Sequence, residues 1–248
     1  MTRLPAAALL SLGLALPAQG FDLAAMSEAE REMFRAEVRS YLMENPEVLM
    51  EAIGVLEQRQ AEAQTANDEA LVRVNAAEIF EDDHSWVGGN PEGDITLVEF
   101  VDYRCGYCRR AHDDVAELVS SDGNIRLVMK EFPILGDQSV LSARFAVATL
   151  QIAGPDAYER AHDALINFRG NITEESLAQL AATLGLDGAA IMERMNSPEV
   201  DAVLAANQSL AQRLQISGTP TFILGPQMLR GYMPLEGMRQ VVAGLREN

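Results

Sequence analysis

Cysteine is scarce in this chain. Its 248 residues include two, Cys105 and Cys108, with two residues between them. None lies near residue 20, which excludes a lipoprotein anchor. No second cysteine or histidine pair stands at zinc-site spacing, and a structural zinc centre needs four ligands. Histidines number three, so a zinc reading must gather His112 and a distant His84 or His162 around the pair. Long apolar runs are missing too. After the first twenty positions, no uncharged stretch reaches the roughly eighteen residues a membrane-spanning helix needs. Basic residues are few, 19 against 37 acidic, for a net charge of -18. A surface of that sign repels nucleic acid and anionic lipid at long range and otherwise serves solubility. No internal repeat or low-complexity block stands out.

What is present begins with "MTRLPAAALLSLGLALPAQG". It has one early positive charge, Arg3, an apolar run from Leu4 to Leu16, and small residues Ala18 and Gly20. The pattern predicts a secretory signal over residues 1–20, cut before Phe21, and a periplasmic or secreted mature chain. The competing reading is a membrane anchor, for which the run is short. Without Arg3 the mature chain carries 18 basic and 37 acidic residues, a net charge of -19. Secretion would place the cysteine pair in an oxidising compartment.

Residues 21–80 read as helical. Ser27 and Glu30 form a capping box, and Met33, Phe34, Val38, Tyr41 and Leu42 then share one helical face. Asn45 and Pro46 restart the pattern, with Val48, Leu49, Ala52, Ile53 and Leu56 as its stripe. The polar run Glu57 to Glu69 continues as an exposed stalk with little to bury. The stripe packs either on its own domain or on the same stripe in other subunits. The intervening stalk favours self-association through residues 27–75.

"HSWVGGNPEGD", residues 84–94, reads as a turn-rich break before the main domain, residues 85–248. "ITLVEFVDY" is a near-continuous apolar run and predicts a buried central strand. The cysteines follow at the start of a predicted helix, and "NIRLVMKEFP" predicts a second strand, giving a βαβ unit. Asp137, Thr173 and Ser197–Pro198 start helices in a block spanning about 138–214. "TPTFILG" and "QMLRGY" predict a hairpin across Gly225–Pro226, and Pro234 opens a last helix.

Three readings of the cysteine pair compete: a redox dithiol, part of a zinc site, or a staple. A staple over so short a loop removes little unfolded-state entropy. At a strand-to-helix turn, free amides and the helix dipole favour a Cys105 thiolate. Cys108, one turn on, lies within reach to close a disulfide and to resolve a mixed one. Arg104, Arg109 and His112 either add positive potential or form a solvated face. Glu99 interrupts the apolar strand six residues earlier. Buried, it would relay protons to the inner cysteine; at a strand edge, it would face water. In "SGTPT", Thr219–Pro220 is either a cis turn set against the disulfide or a trans proline opening a strand.

"VEFVDYRCGYC", "KEFPILG" and "ISGTPTFILG", in that order, resemble the DsbA family of thioredoxin-fold thiol:disulfide oxidoreductases. The N-terminal helices are similar to those of its ScsC-like bacterial members. The resemblance implies an α/β thioredoxin fold with an inserted helical domain, preceded by an oligomerising helical segment. It implies Cys105 as nucleophile, Cys108 as resolving thiol, Glu99 as buried acid and Pro220 as cis-proline. Thr219, Gly106 and Tyr107 would contact substrate. The implied partners are proteins or peptides with thiols or disulfides and a membrane redox partner of DsbB or DsbD type; no cofactor is implied. Gly106–Tyr107 departs from the Pro-His pair of the best-known oxidase, which bears on how oxidising the site is. Two other classes compete: an oligomeric chaperone with a vestigial disulfide, and a Cu(I)-handling protein. The second lacks a Met or His cluster near the pair.

Overall fold

Helix α1 (Glu28–Glu44) starts where an N-cap side chain can take up orphan amides. Ser27 Oγ accepts from the Glu30 N–H, and Glu30 Oε2 accepts from the Ser27 N–H at 2.8 Å. The helix ends at Asn45, whose N–H donates to the Tyr41 carbonyl at 2.8 Å. These positions come from a computed structural model that describes residues 25–247, so the expected signal, residues 1–20, lies outside the described residues. The chain divides into two units after Arg59.

In the first unit, α1 buries no residue. Met33, Phe34, Val38 and Tyr41 are all exposed, as are Leu49, Ile53 and Leu56 on α2 (Glu47–Val74). The apolar stripe of the N-terminal segment is therefore unburied along its length. The run Glu57 to Glu69 is helical, as expected, and α2 buries only Asp68 and Val72, near its end.

The second unit is built on a five-stranded sheet of order β1-β3-β2-β4-β5. Short α3 (Ala76–Phe80) precedes β1 (Trp86–Gly89), then come β2 (Ile95–Val101), α4 (Gly106–Asp122) and β3 (Ile125–Glu131). Next are α5 (Asp137–Ala153), α6 (Pro155–Ile166), α7 (Glu174–Thr183), α8 (Gly188–Arg194) and α9 (Pro198–Arg213). The hairpin β4 (Thr221–Leu224) and β5 (Gln227–Arg230) and helix α10 (Leu235–Glu247) complete it.

Strands β2 and β3 are parallel, with α4 as crossover, and every other pairing is antiparallel. Both parallel strands read as near-continuous apolar runs because both sheet faces are covered. On one face Leu97, Val101, Leu127, Met129 and Phe222 pack in a core that includes α4 and the helical block. On the other, Val98, Phe100, Val128 and Ile223 pack with Val72, Ile79, Leu210 and Leu214. The helical block α5–α9 is inserted between β3 and β4.

Two expectations need correction. The supposed break at residues 84–94 contains β1, which pairs antiparallel with β3. It escapes notice because it is four residues long and half glycine. The indole of Trp86 lies across Gly88, where an added Cβ would come within 2.0 Å of the ring. The Trp86 N–H donates to the Pro155 carbonyl at 3.0 Å, tying the edge strand to α6. Asp137 is the first residue of α5 and not its cap. That place is held by Gly136, whose φ of +98° suits glycine.

Candidate active site

The end of β2 and the start of α4 are shaped by one carboxylate. Buried Asp102 accepts from the Arg104 N–H at 2.8 Å and the Ser139 hydroxyl at 2.8 Å. Its other oxygen accepts from the N–H groups of Ile134 and Leu135 at 2.8 and 3.0 Å. The loop before the cysteines and the loop after β3 are thereby fixed to each other. The Cys105 N–H donates to the Asp102 carbonyl at 3.0 Å, and Cys105 becomes the N-cap of α4.

Both cysteines are free thiols in this structure. They differ sharply. Cys105 is held well below the ordinary thiol range, at about 5. The largest cause is the Cys108 S–H donating to it; a hydrogen bond from Thr219 and the backbone amides of Cys108 and Tyr107 add to this, against burial. When protonated, Cys105 donates to the Thr219 carbonyl at 3.1 Å. That weak neutral bond is outweighed by donors converging on the charged form. Cys108, 1% exposed, is pushed far up by donating to Cys105, by burial and by Glu99. Cys105 itself is 7% exposed, more enclosed than the sequence suggests.

Glu99 sits mid-strand in β2, paired with Met129 on one side and Phe222 on the other, and is 3% exposed. Burial, then the charges of Cys105 and Glu131, raise its pKa to about 8. Of the two readings of this glutamate, the structure places it on a central strand. The Thr219–Pro220 bond is cis. Gly106 opens α4 with no atom near a would-be Cβ, and Tyr107 is 60% exposed. Arg104 and Arg109 hold carbonyls, Gly170 at 3.1 Å and Tyr103 at 3.1–3.2 Å. His112 turns away toward α6, where its Nε2 lies 3.3 Å from Asp163. Among the described residues, no three His, Cys, Asp or Glu side chains are placed to hold a metal ion.

One cluster has no local signature. Buried Glu131 at the end of β3 accepts from the hydroxyls of Tyr103 and Tyr158 at 2.7 and 2.6 Å. His162 Nδ1 lies 3.0 Å from the Tyr103 oxygen. Burial raises Glu131 to about 8 and lowers His162 to about 3. The four residues come from three separate stretches of chain, with only Tyr158 and His162 sharing a helix, so spacing cannot announce the cluster.

Against known proteins, residues 96–243 match the model of the DSBA-like thioredoxin domain. The chain belongs to that family. Residues 30–63 match the N-terminal domain of the copper resistance protein ScsC. A thioredoxin-like oxidoreductase from Silicibacter pomeroyi is 40% identical with a TM-score of 0.66, over 70% of this chain and 99% of that one. BcfH from Salmonella enterica Typhimurium is 28% identical with a TM-score of 0.73, over 87% and 95%. A Na(+)/H(+) antiporter, NhaA 1 of Salinispora arenicola, is 28% identical over 74% of this chain. The match spans 28% of the antiporter's length. The sheet order and the helices between β3 and β4 are thus those of a DsbA-like thioredoxin fold.

Iodoacetamide titration of the reduced protein is expected to label Cys105 with a midpoint near pH 5 and to leave Cys108 unlabelled. Cys108→Ala removes the main donor, so the Cys105 midpoint rises; an unchanged midpoint would remove the sulfur–sulfur contact as cause. Glu99 has a raised pKa, so its contribution to stability is whole below pH 4.5 and is lost as pH climbs toward 8. Thermal melts should therefore show Glu99→Gln gaining on the parent most at pH 8 and least at pH 4.5.

Proposed function

We propose that this chain exchanges disulfides with protein substrates through Cys105 and Cys108 in the periplasm. The observation that carries the reading is the unequal protonation of two adjacent sulfurs beside the Thr219–Pro220 turn. In the oxidised chain, a substrate thiolate attacks Cys105 Sγ. The Cys105–Cys108 bond breaks, its electron pair goes to Cys108 Sγ, and Glu99 supplies the proton. A second substrate thiolate then attacks the substrate sulfur of the mixed disulfide. The substrate leaves oxidised and Cys105 leaves as a thiolate, a good leaving group at its low pKa. In the reverse direction, the Cys105 thiolate opens a substrate disulfide, and Cys108, deprotonated by Glu99, resolves the mixed disulfide. Donors at the α4 N-terminus stabilise the reduced chain, which favours oxidation of substrates even with Gly106–Tyr107 in place of Pro-His. A membrane redox partner resets the pair.

Gly106 leaves room for a client backbone, Tyr107 offers an exposed ring, and Thr219 lies beside the attacking sulfur. The exposed stripe of α1 and α2 supports self-association, since ten large apolar side chains between Met33 and Leu56 lie open to solvent. Several sites gathered in one assembly would favour reshuffling of wrong disulfides over simple oxidation.

Refolding of scrambled ribonuclease, with reduction of insulin alongside, tests the reading. Cys105→Ser is expected to bring both rates to background, and a variant retaining half its rate would refute the assignment. Light scattering after size exclusion is expected to give fewer subunits for Phe34→Glu/Ile53→Glu than for the parent. Equal counts would remove the self-association.

A further inference from the structure

A cleft of about 940 Å³ opens between α4, α6 and the edge strand β1. Neither cysteine nor the Thr219–Pro220 turn lines it. Its apolar surface comes from Trp86, Val115, Val119, Leu127 and Met129. Apart from His112 and His162, its ionisable side chains are carboxylates or tyrosine. Asp113 and Glu117 stand four apart on α4, and Asp156, Glu159 and Asp163 stand at helical spacing on α6. No lysine or arginine lines the cleft.

Little offsets this charge. Glu117 meets Arg239 at 3.5 Å, and Asp163 meets His112 at 3.3 Å. Asp113, Asp156 and Glu159 have no cationic partner among the described residues. A further carboxyl, Glu99, also lines the cleft; it is 97% enclosed and makes no hydrogen bond among the described residues. Two rows of like charge around one cavity repel one another unless a cation lies between them, and the enclosed Glu99 carboxyl, uncharged and without a hydrogen-bond partner among the described residues, offers acceptor oxygens to such a cation. A metal ion does not suit the spacing, because no three ligating groups converge. An extended organic cation does. The α6 row, from Asp156 to Asp163, covers about 10 Å at the helical rise, a length that an extended triamine spans.

We propose that this cleft binds a linear aliphatic polyamine, its methylenes on the apolar surface and its ammonium groups between the carboxylate rows. The cleft shares Glu99 with the exchange chemistry, but that chemistry does not need the carboxylate rows, so failure of the proposal would leave the exchange reading untouched. Trp86, the sole tryptophan of the chain, lines the cleft and serves as reporter.

The test is titration of the full chain with spermidine at constant ionic strength, followed by Trp86 fluorescence and calorimetry. Saturable binding is expected, about tenfold weaker for the diamine putrescine and about tenfold weaker in Asp113→Asn/Glu159→Gln. Both substituted residues are exposed, and circular dichroism checks that the fold is kept. The proposal is overturned if neutral 1,8-octanediol binds as tightly, since the cleft is then merely apolar. It is equally overturned if the double variant binds unchanged, if a lysine-bearing tetrapeptide binds more tightly than spermidine, or if no signal appears up to about 10 mM.

Discussion

Two sulfurs one helical turn apart share one hydrogen bond, and that sharing sets them unequal. The donor, Cys108, is enclosed and kept protonated; the acceptor, Cys105, is kept charged by it and by the first amides of α4. Each state leans on the other. Without the Cys108 donor, burial would weigh more against the Thr219 and amide hydrogen bonds that remain, and the Cys105 pKa would rise. Without a charged neighbour and a buried carboxyl, Cys108 would lose two reasons for keeping its proton. The reactivity of the first sulfur is therefore a property of the pair.

The fold exists, in this sense, to hold one helix mouth in place. Burial on both faces obliges β2 and β3 to be apolar, and a parallel pair obliges a crossover, which is α4. The crossover begins where Asp102 collects four donors from three segments, so Cys105 can move only if several hydrogen bonds break together. The antiparallel neighbour β4 then brings Thr219 against the sulfur. A glutamate is admitted to the middle of this apolar sheet because a neutral carboxyl costs far less to bury than a charged one.

How far the sequence speaks depends on whether a feature is local. The cysteine spacing, the glutamate breaking an apolar run and the proline after "SGT" are all violations of a local pattern, and each stood out. The capping box at Ser27 and the hairpin turn at Gly225–Pro226 are local too, and both formed. Strand β1 did not stand out, because glycine carries no strand signal and Trp86 reveals its role only once α6 is beside it. The Glu131 cluster is the extreme case. Tyr158 and Tyr103 lie 27 and 28 residues from Glu131, and only tertiary packing brings both hydroxyls to one carboxyl. His112 shows the same limit from the other side: its sequence position allows either added potential at the cysteines or a solvated face, and Asp163 on another helix lies 3.3 Å from its ring.

Lys130 carries a consequence of its own. It is the one lysine in the chain, against 18 arginines, and it is wholly enclosed in β3, donating to the Glu78 carbonyl at 2.9 Å and pairing with Asp82. Every permanently charged basic side chain at the surface is thus a guanidinium, and the folded protein presents no side-chain amine to acylating agents, aldehydes or amine-directed cross-linkers. Such reagents find only the terminal amine on the folded chain, and any reaction at Lys130 counts unfolding events.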